Sequence, residues 1–261
     1  MKKALLVVSF GTTYTETIEK TIVPIERDLQ AAFPDRVFYR AWTSARIRKK
    51  LRETAGLCID SVEEALERMR SDGVEDVLVQ TTLLLRGGET AGVGELLPAF
   101  EGAFARVALG VPLLDSEADC IRLVRTLEKL FGHISDRDML VLMGHGSACV
   151  EPNPFDTMNR ILHADGYDHF CVGTVEHLPG LEPALQRARE RRPERVFLAP
   201  LLIVAGEHAL KDMVGEDEHT WQSRFGREGF ETVPILKGMG EYPELRALIT
   251  AHAAEAEQVE A

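Results

Sequence analysis

Short apolar, β-branched runs alternate along the chain with longer stretches in which apolar positions recur every three or four residues. That alternation is the signature of βαβ units and a parallel sheet. The first run, Ala4 to Ser9, predicts a buried strand, and Thr15 to Phe33 predicts a helix. Val37 to Thr43 predicts the second strand, followed by a helix and then another from Ser61 to Met69. Ser61 is placed to cap that helix with Glu64 at the capping-box position, and Gly73 to close it. Val77 to Leu85 and Val107 to Leu113 predict the third and fourth strands.

The second half repeats this order. Met139 to Met143 runs into Gly144-His145-Gly146-Ser147 as Ala4 to Val8 runs into Ser9-Phe10-Gly11-Thr12. Asp168 to Val175 matches Asp35 to Trp42, and Glu194 to Leu198 matches Glu75 to Val79. Thr232 to Leu236 matches Gly110 to Leu114. The expectation is an α/β protein of two similar lobes, each a parallel β-sheet flanked by helices, with the active site in the interlobe cleft. The lobes are placed at residues 1–130 and 131–261, hinged near 115 to 135. A last helical stretch, Tyr242 to Ala254, is open to packing on either lobe, the N-terminal one included.

Composition narrows the function. No apolar run approaches the roughly 20 residues of a membrane span, and the apolar run after Met1-Lys2-Lys3 is too short for a signal peptide. These features point to a cytoplasmic protein with no membrane partner. The net charge of −12 argues against nucleic acid as the main partner. Cys58, Cys120, Cys149 and Cys171 are scattered without a CxxC pair, which fits structural thiols. A GxxxxGK[ST] loop and a GxGxxG after the first strand are both absent, so no nucleotide is implied. A GxSxG elbow is absent too.

Ligands of parallel sheets bind beyond the carboxyl ends of the strands. In the second half those ends carry His145, Glu176 with His177, and Glu207 with His208. The internal repeat sets Phe10 opposite His145, Thr43 opposite Glu176, and Glu89 opposite His208. Two imidazoles and a carboxylate suit a divalent transition metal and leave positions for substrate. A lone histidine after a strand is more often a hydrogen-bonded structural residue, and Glu176 could instead serve a helix N-terminus. Which of Glu176 and His177 points inward stays open. Convergence of three ligands at three strand ends is what favours a metal site.

Several stretches resemble the cobaltochelatases of anaerobic cobalamin biosynthesis, class II chelatases with a ferrochelatase-like fold. They are Leu6 to Thr12, Arg40 to Ser44, Leu109 to Leu114, Met143 to Gly146, and Leu202 to Met213. The resemblance implies a lyase that inserts Co2+ into sirohydrochlorin or a precorrin-2-type tetrapyrrole without ATP. It implies that His145, Glu176 and His208 hold the metal and that His145 helps remove the pyrrole protons. Glu89 is a second acid/base candidate. Phe10, Tyr14 and Trp42 could wall an apolar slot for the macrocycle, although core packing is the ordinary fate of Phe10 and Trp42. Arg46 and Arg86, with Arg48 and Lys49, are candidates for pairing the substrate's carboxylates. One departure follows Val79-Gln80, where relatives carry a histidine and this chain reads Thr81-Thr82-Leu83-Leu84-Leu85. A haem-ligating role is therefore not carried over to that stretch. The alternatives are an iron or nickel chelatase of the same fold, a non-catalytic metal or haem carrier, and a plain α/β binding protein. Oligomeric state, a homo-oligomer included, is left open by the sequence.

Overall fold

The computed structural model describes residues 1–100, 102–146 and 152–258; Ser147 and Cys149 lie outside them. The chain forms two compact units, one built from Met1–Asp115 with the stretch from Pro243 onward and the other from Ser116–Tyr242.

The first unit opens with β1 (Lys3–Ser9) and α1 (Thr15–Thr17), which runs through a π turn (Ile18–Ile22) into α2 (Val23–Ala32). Then come β2 (Val37–Trp42), α3 (Ala45–Ala55), α4 (Val62–Ser71), β3 (Asp76–Thr81), α5 (Gly88–Leu96) and β4 (Arg106–Gly110). The second unit holds α6 (Glu117–Phe131), β5 (Met139–Gly144), α7 (Pro154–Ala164), β6 (Phe170–Thr174), α8 (Glu182–Arg191) and β7 (Arg195–Pro200). It continues through a π turn (Ala209–Met213), α9 (Trp221–Arg227) and β8 (Glu231–Pro234). The chain returns to the first unit with α10 (Pro243–Ala254) and β9 (Glu257–Gln258).

The sheets have the orders β2-β1-β3-β4-β9 and β6-β5-β7-β8. Every pairing is parallel except that of β9 with β4. In both sheets the first strand of the unit lies between its second and third. The stretches Ala4–Val8 and Met139–Met143 of those central strands are apolar without interruption, as suits strands covered on both faces. Leu5, Leu6, Val7 and Val8 are fully buried, as are Met139, Leu140 and Val141. Burying each such side chain contributes roughly 1.5–3 kcal/mol.

Local chemistry explains the element ends. Ser61 and Glu64 form the expected capping box, at 3.1 and 2.6 Å, and Gly73 takes φ +71° just past α4. In the second unit, Asn159 on α7 donates to Val172 O at 2.9 Å and accepts from Val172 N at 2.8 Å. Its amide thereby satisfies the outer backbone groups of the edge strand β6. The amino ends of the sheets are tied by ion pairs. Buried Asp76 accepts from Arg36 at 2.9 Å, and buried Asp138 accepts from Arg195 at 2.8 Å.

Three sequence expectations shift, and one element appears where none was expected. The segment 115–135, expected to hold the hinge, meets the boundary between the units at its start, Asp115 to Ser116, and from there forms α6, started by a Ser116–Asp119 capping box and burying Leu123, Val124, Leu127 and Phe131. The compact second unit accordingly begins at Ser116, against the expected division at residue 130. The glycine-rich stretch from Gly88, for which the sequence suggests no element, forms helix α5. The third strand ends at Thr81, four residues early, and Leu85 makes only an isolated bridge to Leu114.

The internal repeat holds, but two of its alignments move. Thr43 N donates to Ser9 O at 2.9 Å and Val175 N to Gly144 O at 3.0 Å. Thr43 therefore corresponds to Val175, and Ser44, not Thr43, corresponds to Glu176. Asp76 pairs with Arg106 as Arg195 pairs with Glu231, so Gly110 corresponds to Ile235 rather than Thr232. Short apolar strings match at several offsets, whereas ladder hydrogen bonds admit one. Finally, α10 packs on α2, where Arg246 Nε donates to Asp28 at 2.6 Å.

Candidate metal centre

The second unit brings its strand-end residues together from β5 outward. His145 is the first residue after β5 and is exposed. Gly146 follows with φ +97°, a left-handed conformation that suits glycine. A Cβ at Gly146 would lie 1.7 Å from the Glu176 carbonyl oxygen, so only glycine lets the two turns touch. Glu176 N in turn donates to His145 O at 2.8 Å. The peptides of the two proposed ligands are thus locked side by side.

The loop after β6 is pinned by Thr174, whose Oγ1 donates to His177 O at 3.1 Å and accepts from Gly180 N at 3.0 Å. His177 takes φ +63° and its side chain is exposed. Glu176 is exposed as well.

His208 stands immediately before the π turn that follows β7. Its ring lies edge-to-face with that of His145, with centroids 4.8 Å apart and planes at 79°. The sequence separates these imidazoles by more than sixty positions, and the sheet brings them into contact. His145 Nδ1 lies 3.1 Å from Gly146 O. A carbonyl oxygen only accepts, so this contact places the proton on Nδ1 and leaves Nε2 with its lone pair. His208 Nδ1 lies 2.7 Å from Asp212 Oδ2. Asp212 was not singled out from sequence; its spacing of four from His208 was the available signal.

Among the described residues, no group of three or more His, Cys, Asp or Glu side chains is gathered so as to hold a metal ion. The two imidazoles meet, but the Glu176 carboxylate does not complete a three-donor set with them. The Glu176 peptide is anchored, while its side chain is exposed and takes its direction from rotamer preference.

In the first unit the proposed residues divide. Trp42 is fully buried, with its six-membered ring packed under Gly11. It borders a cavity of about 250 Å³ shared with Thr43, Ser61, Gly88, Gly92 and Val93. Trp42 Nε1 and Thr43 Oγ1 are buried there without a hydrogen-bond partner among the described residues. Phe10, expected in the core, is 44% exposed instead, because it is the first residue past β1 and β1's own side chains fill the core. Tyr14 is also exposed, just before α1.

Arg46 is exposed on α3. Arg86 makes a two-pronged pair with Asp115, one contact at 2.9 Å, which raises its already high pKa. Arg48 pairs with Glu64 at 3.2 Å. Glu89 is the second residue of α5, and its side chain lies outside what the structure describes.

The family described as "Cobalt chelatase (CbiK)" matches residues 3–258. The chain is 38% identical over 252 residues to a sirohydrochlorin cobaltochelatase of Salmonella typhimurium, covering 97% of this chain and 95% of that protein. It is 28% identical over 250 residues to the sirohydrochlorin cobaltochelatase CbiKC of Nitratidesulfovibrio vulgaris, covering 92% and 86%. Among solved structures it is similar to the sirohydrochlorin chelatase SirB from Bacillus subtilis subspecies spizizenii in complex with cobalt. There the TM-score is 0.64 at 15% identity, covering 98% of this chain and 95% of that one. At that identity the likeness concerns the fold, two parallel sheets flanked by helices.

Proposed function

Because this chain belongs to the cobalt chelatase (CbiK) family, we propose that it inserts Co2+ into sirohydrochlorin, or a precorrin-2-type tetrapyrrole, without a nucleotide. The observation that carries this reading is the pair of imidazoles, His145 and His208, 4.8 Å apart at the strand ends of one sheet. Neutral imidazole is the form that ligates a divalent ion, and the Nδ1 contact of His145 leaves its Nε2 for that purpose.

Insertion exchanges two pyrrole protons for one divalent ion. The ion must therefore be held by ligands that let go. Two imidazoles and one carboxylate meet that need without burying excess charge, and Glu176 is our assignment for the carboxylate. As the ion passes to the macrocycle nitrogens, His145 Nε2 is released and accepts a proton leaving a pyrrole. Glu89 is assigned as a second proton acceptor from its sequence position. Phe10 and Tyr14, exposed at the carboxyl end of the first sheet, offer apolar surface to a macrocycle. Arg46 offers an exposed cation to its carboxylates; Arg86 would first have to leave Asp115. No helix among the described residues is long and apolar enough to cross a membrane.

The test is anaerobic insertion with sirohydrochlorin and cobalt, iron and nickel in parallel. Wild-type protein should insert cobalt, and His145→Ala should bind the tetrapyrrole but insert metal about a hundredfold more slowly or worse. Wild-type protein that turns over no tetrapyrrole with any of the three metals would overturn the reading and favour a carrier.

A further inference from the structure

The two imidazoles are oriented by different means. His145 Nδ1 is held by a main-chain carbonyl, that of Gly146, which no side-chain substitution removes. His208 Nδ1 is held by a side chain, the Asp212 carboxylate at 2.7 Å. The spacing of four residues alone does not guarantee this contact. Here the two residues face each other across the start of the π turn Ala209–Met213. The other acidic residue of the segment, Glu207, pairs instead with Lys211 at 2.6 Å.

We infer that Asp212 is the positioning residue for His208. Its carboxylate accepts the Nδ1 proton, fixes the tautomer and the ring orientation, and so presents the Nε2 lone pair to the incoming divalent ion. The inference rests on the proposed role of His208 as a ligand. Carboxylates bonded to the far nitrogen of a ligating histidine orient the ring and strengthen it as a donor. Asp212 itself touches neither ion nor macrocycle. Its side chain is 41% exposed, so its removal leaves no hole in the core.

The experiment reads the tautomer directly. Protein with 15N-labelled histidine is examined by long-range 1H–15N correlation at about pH 8.5, well above the ordinary histidine pKa of about 6.5. A His208→Gln sample and a His145→Gln sample identify the two rings. In wild type both should show the Nδ1–H form. Asp212→Ala should shift His208 toward the Nε2–H form, while His145 keeps its Nδ1–H signal. The same variant should raise KM for Co2+ about tenfold or more, with kcat at saturating cobalt changed by less than about threefold. Asp212→Glu, which restores a carboxylate within reach, should return both the tautomer and KM toward wild type.

An Nε2–H tautomer at His208 in the wild type overturns the inference without any variant. So does an Asp212→Ala protein whose tautomer and KM are unchanged. Failure of the wild type to insert metal would instead defeat the proposed function, with the tautomer still deciding whether Asp212 positions His208.

Discussion

At the carboxyl end of β1 the chain reads Ser9-Phe10-Gly11, and at the end of β5 it reads Gly144-His145-Gly146. The backbone is nearly the same in both places, with Gly11 at φ +94° and Gly146 at φ +97°. What each glycine admits differs. Gly11 makes room for the buried ring of Trp42, whereas Gly146 makes room for the peptide of Glu176. In the first unit the strand end is also closed by a hydrogen bond, Thr82 Oγ1 to Ser9 Oγ at 2.9 Å. One unit thus uses this turn to seal its sheet, and the other uses it to present an imidazole beside a second one. A shared fold supplied the position, and side-chain substitution supplied the chemistry.

The comparison can be broken at these glycines. Gly146→Ala combines left-handed strain with collision against backbone that cannot move aside. We expect a loss of about 3 kcal/mol or more in urea unfolding, with insertion activity abolished. Gly11→Ala meets the buried Trp42 ring, which borders a cavity, rather than backbone, so about 2 kcal/mol is expected. Equal losses, or a larger one at Gly11, would remove the distinction between the two turns.

The opposite ends of the sheets sharpen it. Asp76 and Asp138 are both buried, but Arg36 is 12% exposed and Arg195 46% exposed. Removing Asp76 strands a cation in a largely dry setting, so Asp76→Ala should cost about 3 kcal/mol. Asp138→Ala should cost nearer 1 kcal/mol, since water can replace the lost partner. The two capping boxes should behave alike, with Ser61→Ala and Ser116→Ala each costing about 1 kcal/mol by thermal unfolding. Phe10→Ala should change stability by less than about 0.5 kcal/mol, because the ring is exposed, while weakening tetrapyrrole binding in a fluorescence titration.

Much of this was written plainly in the sequence. Buried parallel strands announce themselves as apolar runs, and the Ser61 capping box was readable residue by residue. The repeat was visible because two copies of one topology demand the same order of runs. Its register was not, because slipping Thr43 against Glu176 by one residue leaves the strings looking equally alike. Helix α5 was hidden by Gly88, Gly92 and Gly94, whose low helix propensity is overridden by burial of Val93. At the site, His145 and His208 could be proposed from strand ends, and the structure brings their rings together. The Asp212 contact could not be read so directly, since a spacing of four marks neighbours only once the stretch after His208 is known to be helical.

His145 and His208 are proposed to hold the substrate cobalt through their imidazoles, 4.8 Å apart in the structure. X-ray absorption of Co2+ bound to the protein counts imidazole ligands from their outer-shell scattering. The expected spectrum has two imidazoles, falling to one in His145→Ala and to one in His208→Ala. A cobalt spectrum left unchanged by both substitutions would contradict the claim.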